Sequence, residues 1–133
     1  MLRVAQLLVA AAGVYLISLG VTAAIAPPRA KRFLEAHAST VRAHVLELAL
    51  RLVVGLAMML AAPAMLGTEL VRFGGGVLVA TTLVLAVLPW RLHQRFAAWA
   101  VPMATRTMSL VAVGALAGGI AVLAALMLGP RTT

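Results

Sequence analysis

Within the apolar stretches of this 133-residue chain, one acid–base pair stands out, Glu47 and Arg51. Four residues separate them, so a helix puts both on one face with the acid first, the favourable order for pairing. Two readings follow. In one, Arg51 sits about one turn inside a hydrocarbon layer and snorkels outward past Glu47. A central arginine costs roughly 2.5–3.5 kcal/mol on the insertion scale, and the Leu and Val residues between Leu46 and Leu60 return a similar sum. In the other, the intramembrane pair marks a ligand or proton site.

His44 lies three residues before Glu47 and seven after His37, so an unbroken helix would gather all three on one face. A metal ion needs three or four convergent ligands. The chain has no Cys or Asp, and Glu35 is the one further carboxylate nearby, so no metal is expected. His93 stands alone and is expected to meet lipid headgroups. Catalysis finds little to work with. Ser18, Ser39 and Ser109 lie in no nucleophile-elbow context, and Gly74-Gly75-Gly76 lacks the Lys-Ser/Thr of a phosphate loop. No enzyme and no cofactor are expected.

The elements that must carry these residues are dictated by composition. Hydrophobic residues make up 64% of the chain and charged ones 11%, with a mean hydropathy of +1.10. A soluble domain carries about a quarter charged residues, so this chain has too little polar surface for water. Four apolar runs, about 4–26, 44–66, 70–88 and 107–128, are long enough to span a bilayer. The first exceeds the roughly 7–15 apolar residues of a secretory signal and reads as a first transmembrane helix, ended by Pro27-Pro28.

Two connectors, about 29–43 and 90–105, have helical periodicity and opposed faces. Ala30, Phe33, Leu34, His37 and Val41 oppose Arg29, Arg32, Glu35, Ser39 and Arg42; Leu92, Phe96, Trp99 and Met103 oppose Arg91, Gln94 and Arg95. That pattern fits helices lying in the membrane interface, or plain helical loops. Trp90 and Trp99 suit the headgroup boundary. The short turn Gly67-Thr68-Glu69 makes the second and third spans antiparallel neighbours. Gly74, Gly75 and Gly76, and the small-xxx-small pair Gly114 and Gly118, are expected at close helix contacts.

The basic residues distribute unevenly. Arg29, Lys31, Arg32, Arg42, Arg91, Arg95 and Arg106 belong to the connectors, whereas the opposite side has Arg3, Arg72 and Arg131. The excess predicts cytoplasmic connectors that bind anionic lipid, with both termini periplasmic. Nucleic acid is not expected, since no soluble basic domain exists to hold it. The halves also echo each other: Pro27 and Arg29 match Pro89 and Arg91 at an offset of 62, and Arg32, Phe33 and Gly55 match Arg95, Phe96 and Gly118 at 63. Either a tandem repeat of a two-helix unit or chance in a low-complexity sequence produces that.

Leu50-Arg51-Leu52-Val53-Val54-Gly55 and Arg72-Phe73-Gly74-Gly75-Gly76 resemble small bacterial inner-membrane families. The Arg-Phe-Gly-Gly-Gly string is similar to the two-helix YjeT-like proteins, and the four-span layout to DoxX-like proteins. The resemblance implies a bacterial inner-membrane location and carries over no catalytic residue. The expected molecule is therefore all-α, an integral membrane four-helix bundle with two interfacial amphipathic connectors. Its expected role is a non-enzymatic accessory or scaffold protein that packs with a membrane-protein partner or itself as a homo-oligomer. A small transporter or channel using Glu47 and Arg51 in a bundle cavity is the alternative, and a lipid- or quinone-binding protein a further one.

Overall fold

The computed structural model describes residues 1–37 and 40–130, and 90% of these are helical. Six helices follow in order: α1 (Leu2–Ile25), α2 (Pro27–His37), α3 (Val41–Ala61), α4 (Thr68–Val87), α5 (Trp90–Arg106) and α6 (Met108–Met127). A 3₁₀ turn, Ala62–Ala64, extends α3, and with it α1, α3, α4 and α6 are each long and apolar enough to cross a membrane. With that turn counted, the helix limits lie within three residues of the expected runs, except that α2 ends at His37, six residues before 43; the second span also begins early. There α3 starts at Val41, earlier than His44, because Thr40 adopts an extended conformation and its hydroxyl accepts from the Ala43 N–H. Threonine is a preferred N-cap for this reason.

That cap overturns one expectation. His37 ends α2 and His44 lies in the first turn of α3, so no unbroken helix gathers His37, His44 and Glu47 on one face. The α1–α2 break has a similarly local cause. Ala26 precedes Pro27, is pushed out of the helical region (φ −140°, ψ 60°), and Pro27 then opens α2 where no N–H is needed.

The long helices pack side by side in the order α6, α1, α3, α4, each antiparallel to its neighbour. The α3–α4 turn packs at the end where the termini lie. Met65 is fully buried there against Ala5, Val9, Ala57 and Ala61, with Val71, Val122, Ala125 and Leu126 around it. The Leu66 N–H donates to the Ala125 carbonyl (2.7 Å), one of the acceptors left open at the end of α6. Gly67 then turns the chain with φ +72°, a left-handed conformation that costs an L side chain about 1 kcal/mol or more. At the opposite end α2 and α5 lie beside each other, and Ala23, Ala30 and Ala112 pack with Met108 and Val111.

Close backbone contact joins the helix pairs. A Cβ on Gly119 would stand 2.8 Å from the Gly13 carbonyl and 3.0 Å from the Ile17 nitrogen; one on Gly20 would meet the Leu116 nitrogen at 2.8 Å. Between α3 and α4, a Cβ on Gly75 would stand 2.8 Å from the Gly55 carbonyl. An offset of 62 relates Gly13 to Gly75, as it relates Pro27 to Pro89. The expected glycines are therefore only partly the ones used. Gly75 sits at a crossing, whereas Gly74 and Gly118 have only ordinary contacts and Gly76 and Gly114 have nothing within 4 Å. Gly119 occupies the place assigned to its neighbour, because one residue rotates the direction of contact by about 100°.

Most of each long helix is left uncovered. Between 11% and 22% of the residues in their apolar windows are buried by the rest of the chain. The accessible surface of 8678 Å² exceeds the roughly 6,600 Å² of a compact soluble monomer of this mass. Substituting Gly119→Ala is expected to destabilise the fold by about 1–3 kcal/mol, since the obstructing atoms are backbone. Gly114→Ala, in open space, should stay within about 0.5 kcal/mol of the parent. Unfolding midpoints in detergent micelles measure both, and equal values would remove the assigned crossing.

Candidate functional site

Arg51 lies about 15 Å along α3 from Val41, near the middle of the helix. An arginine in a helix leans back toward the N-terminus, which carries its guanidinium up to Glu47. Nη1 donates to the Glu47 carboxylate at 3.3 Å. Nη2 reaches across to α4 and donates to the Thr81 hydroxyl, also at 3.3 Å. That reach exists because α3 and α4 cross closely at Gly55 and Gly75. Thr81 in turn donates to the Val77 carbonyl at 2.8 Å, so its hydroxyl serves as acceptor and donor together.

The arrangement is a polar ladder between two apolar helices. Both ends of the ion pair are about one-third exposed, 32% for Arg51 and 36% for Glu47. The Arg51 Nε is buried without a hydrogen-bond partner, a condition that costs about 1–3 kcal/mol. Glu47 also lies within electrostatic reach of Tyr15 on α1. His44, expected to join the pair, is buried at 7% exposure in the first turn of α3. Arg51 therefore bonds to Glu47 within α3 and to Thr81 on α4, and so ties the two helices together.

Beside the ladder runs a groove of about 220 Å³ lined by Tyr15, Ser18, Leu19 and Thr22 of α1 and Ala30 and Phe33 of α2. The helices form its two walls because the Pro27-Pro28 break folds α2 back until Phe33 meets Tyr15, with ring centroids 6.4 Å apart and planes tilted by 53°. The Ser18 hydroxyl donates to the Val14 carbonyl (2.9 Å) and the Thr22 hydroxyl to the Ser18 carbonyl (2.7 Å). Neither Glu47 nor Arg51 lines this groove.

The expected headgroup ligands Arg29, Lys31, Arg32, Arg42, Arg91, Arg95 and Arg106 are all exposed. Lys31 pairs with Glu35 at 3.9 Å, and the other six make no ion pair among the described residues. Of the interfacial anchors, Trp99 is 61% exposed. The side chains of Trp90, His37, His93 and Phe96, and residues Ser39 and Arg131, lie outside the described residues. Thr81 and the Tyr15–Phe33 groove were missed in the sequence. For the helix crossings a signal was present: Gly13 and Gly20, like Ala112 and Gly119, recur at the seven-residue spacing of a continuous helix face.

Compared with known proteins, the chain matches no family model, no curated protein and no solved structure.

If the ladder is a matched pair, Glu47→Gln should destabilise the protein more than the double substitution Glu47→Gln with Arg51→Met, because it leaves a mid-helix cation uncompensated. Thr81→Val should cost about 0.6 kcal/mol, the average for a hydrogen bond between membrane helices. Unfolding in micelles reads all three, and a neutral Glu47→Gln would contradict the pairing.

Proposed function

We propose that this chain is a multi-pass protein of the bacterial inner membrane, a non-enzymatic accessory or scaffold subunit that binds anionic lipid through α2 and α5. One observation carries the reading: seven exposed cations gather at the end of the molecule where α2 and α5 lie together, six of them without an ion-pair partner among the described residues. Phosphate-bearing headgroups supply the missing countercharge, at about 1 kcal/mol per basic residue near an anionic surface.

The apolar residues of α5 agree with this. Leu92 (47% exposed), Trp99 and Met103 (53%) keep much of their surface exposed, as suits a helix bedded in the acyl boundary. Long apolar helices with little internal burial suit a solvent of lipid. The basic excess orients α2 and α5 toward the cytoplasm and the termini toward the periplasm. Uncovered faces on every long helix leave room for a membrane-protein partner or a second copy. A duplicated two-helix unit accounts for the shared offset of Gly13 and Gly75 with Pro27 and Pro89.

The transport reading has less to stand on. Arg51 gives one N–H of each terminal nitrogen to Glu47 and Thr81, and neither member of the pair lines the groove between α1 and α2. The ladder serves helix association.

Purified protein in mild detergent should therefore gain thermal stability on adding phosphatidylglycerol and little on adding phosphatidylcholine. The gain should shrink with salt, because exposed charges are screened within about 10 Å at 0.1 M. Replacing Arg29, Arg32, Arg91 and Arg95 by Gln should abolish it. Equal stabilisation by both lipids would overturn the reading.

A further inference from the structure

We propose that the α1–α2 groove is a discrete phospholipid site that takes a segment of one acyl chain, with the anionic headgroup held at Arg29. The inference rests on the lipid-binding reading above and goes beyond it by naming a single site. Its volume, about 220 Å³, falls below the roughly 300–1,000 Å³ of pockets that enclose a whole small molecule. An occupant must therefore lie partly outside, as a chain does when its remainder stays in the bilayer.

The lining decides the chemistry. Leu19, Ala30 and Phe33 are apolar, and the two hydroxyls, Ser18 and Thr22, have given their protons to backbone carbonyls of α1. A carbonyl-rich ring such as a quinone needs several donors; Ser18 and Thr22 have used theirs, which leaves the Tyr15 phenol as the one side-chain O–H of the lining outside those bonds. An alkyl chain needs none. Tyr15 (50% exposed) and Phe33 (39% exposed) meet at the groove with much of their surface uncovered, so entry is lateral, from the lipid phase.

Charge selects the headgroup. Arg29 is adjacent to Ala30 and one turn before Phe33 on α2, at the edge of the groove-facing side. It is exposed and has no ion-pair partner among the described residues. Arg29 therefore sets a cation at one edge of an apolar groove, which is the polarity of an anionic phospholipid.

The test is photocrosslinking of the full chain in nanodiscs with phosphatidylglycerol bearing a diazirine on its acyl chain, mapped by mass spectrometry. Label is expected to concentrate on Tyr15, Leu19, Thr22 and Phe33. Ser18→Trp, which fills the groove, should lose that label, while Ser18→Ala should keep it. Both variants should retain the phosphatidylglycerol-dependent thermal stabilisation, which depends on all the connector arginines. Loss of stabilisation in the parent would fault the broader lipid-binding reading instead. Label spread evenly over all four long helices would overturn the site. So would undiminished label in Ser18→Trp, equal labelling by the phosphatidylcholine analogue, or displacement by a short-chain quinone and not by unlabelled phosphatidylglycerol.

Discussion

Close backbone approach at glycine is the constraint on which this structure depends. The long helices are apolar on nearly every face and bury little of themselves, so in lipid no hydrophobic gradient would draw them together. What remains is van der Waals contact, and that is strongest where no side chain intervenes. Gly119 against Gly13 joins α6 to α1, and Gly75 against Gly55 joins α4 to α3. Met65 then fills the space where small residues of α1 and α3 leave room for it.

The polar features are placed by those contacts. Arg51 can reach Thr81 because Gly55, four residues on, lets α4 come close. A mid-helix arginine that would otherwise oppose insertion becomes a cross-link between α3 and α4. At the connector end the constraint is different: Pro27 and Pro28 turn α2 back on α1, leaving its arginines outward and Phe33 against Tyr15. Packing and charge are thereby separated along the molecule, and the proposed lipid contacts fall where the charges are.

How much of this was legible follows from which signals are periodic. Long apolar runs announce themselves by length, so the four main helices were foreseen, and their basic connectors with them. Which face of such a helix packs was not, since Leu, Val and Ala surround it on all sides. Gly118 and Gly119 look alike in the sequence, yet only Gly119 meets a backbone. Thr81 bonds to its own helix as any threonine in an apolar helix does, so nothing marked it as a partner of Arg51. Thr40 did carry a signal, a hydroxyl residue just before an apolar run, and it explains why His37 and His44 part company.

We propose that α2 and α5 share one side of a membrane and that the α3–α4 turn lies on the other. The chain has no cysteine, so single cysteines introduced by Ala36→Cys, Gln94→Cys and Glu69→Cys report accessibility without background. In intact cells an impermeant maleimide should label Glu69→Cys and leave Ala36→Cys and Gln94→Cys unreacted until the membrane is permeabilised. Different behaviour at Ala36→Cys and Gln94→Cys, or equal labelling of all three in intact cells, would contradict it.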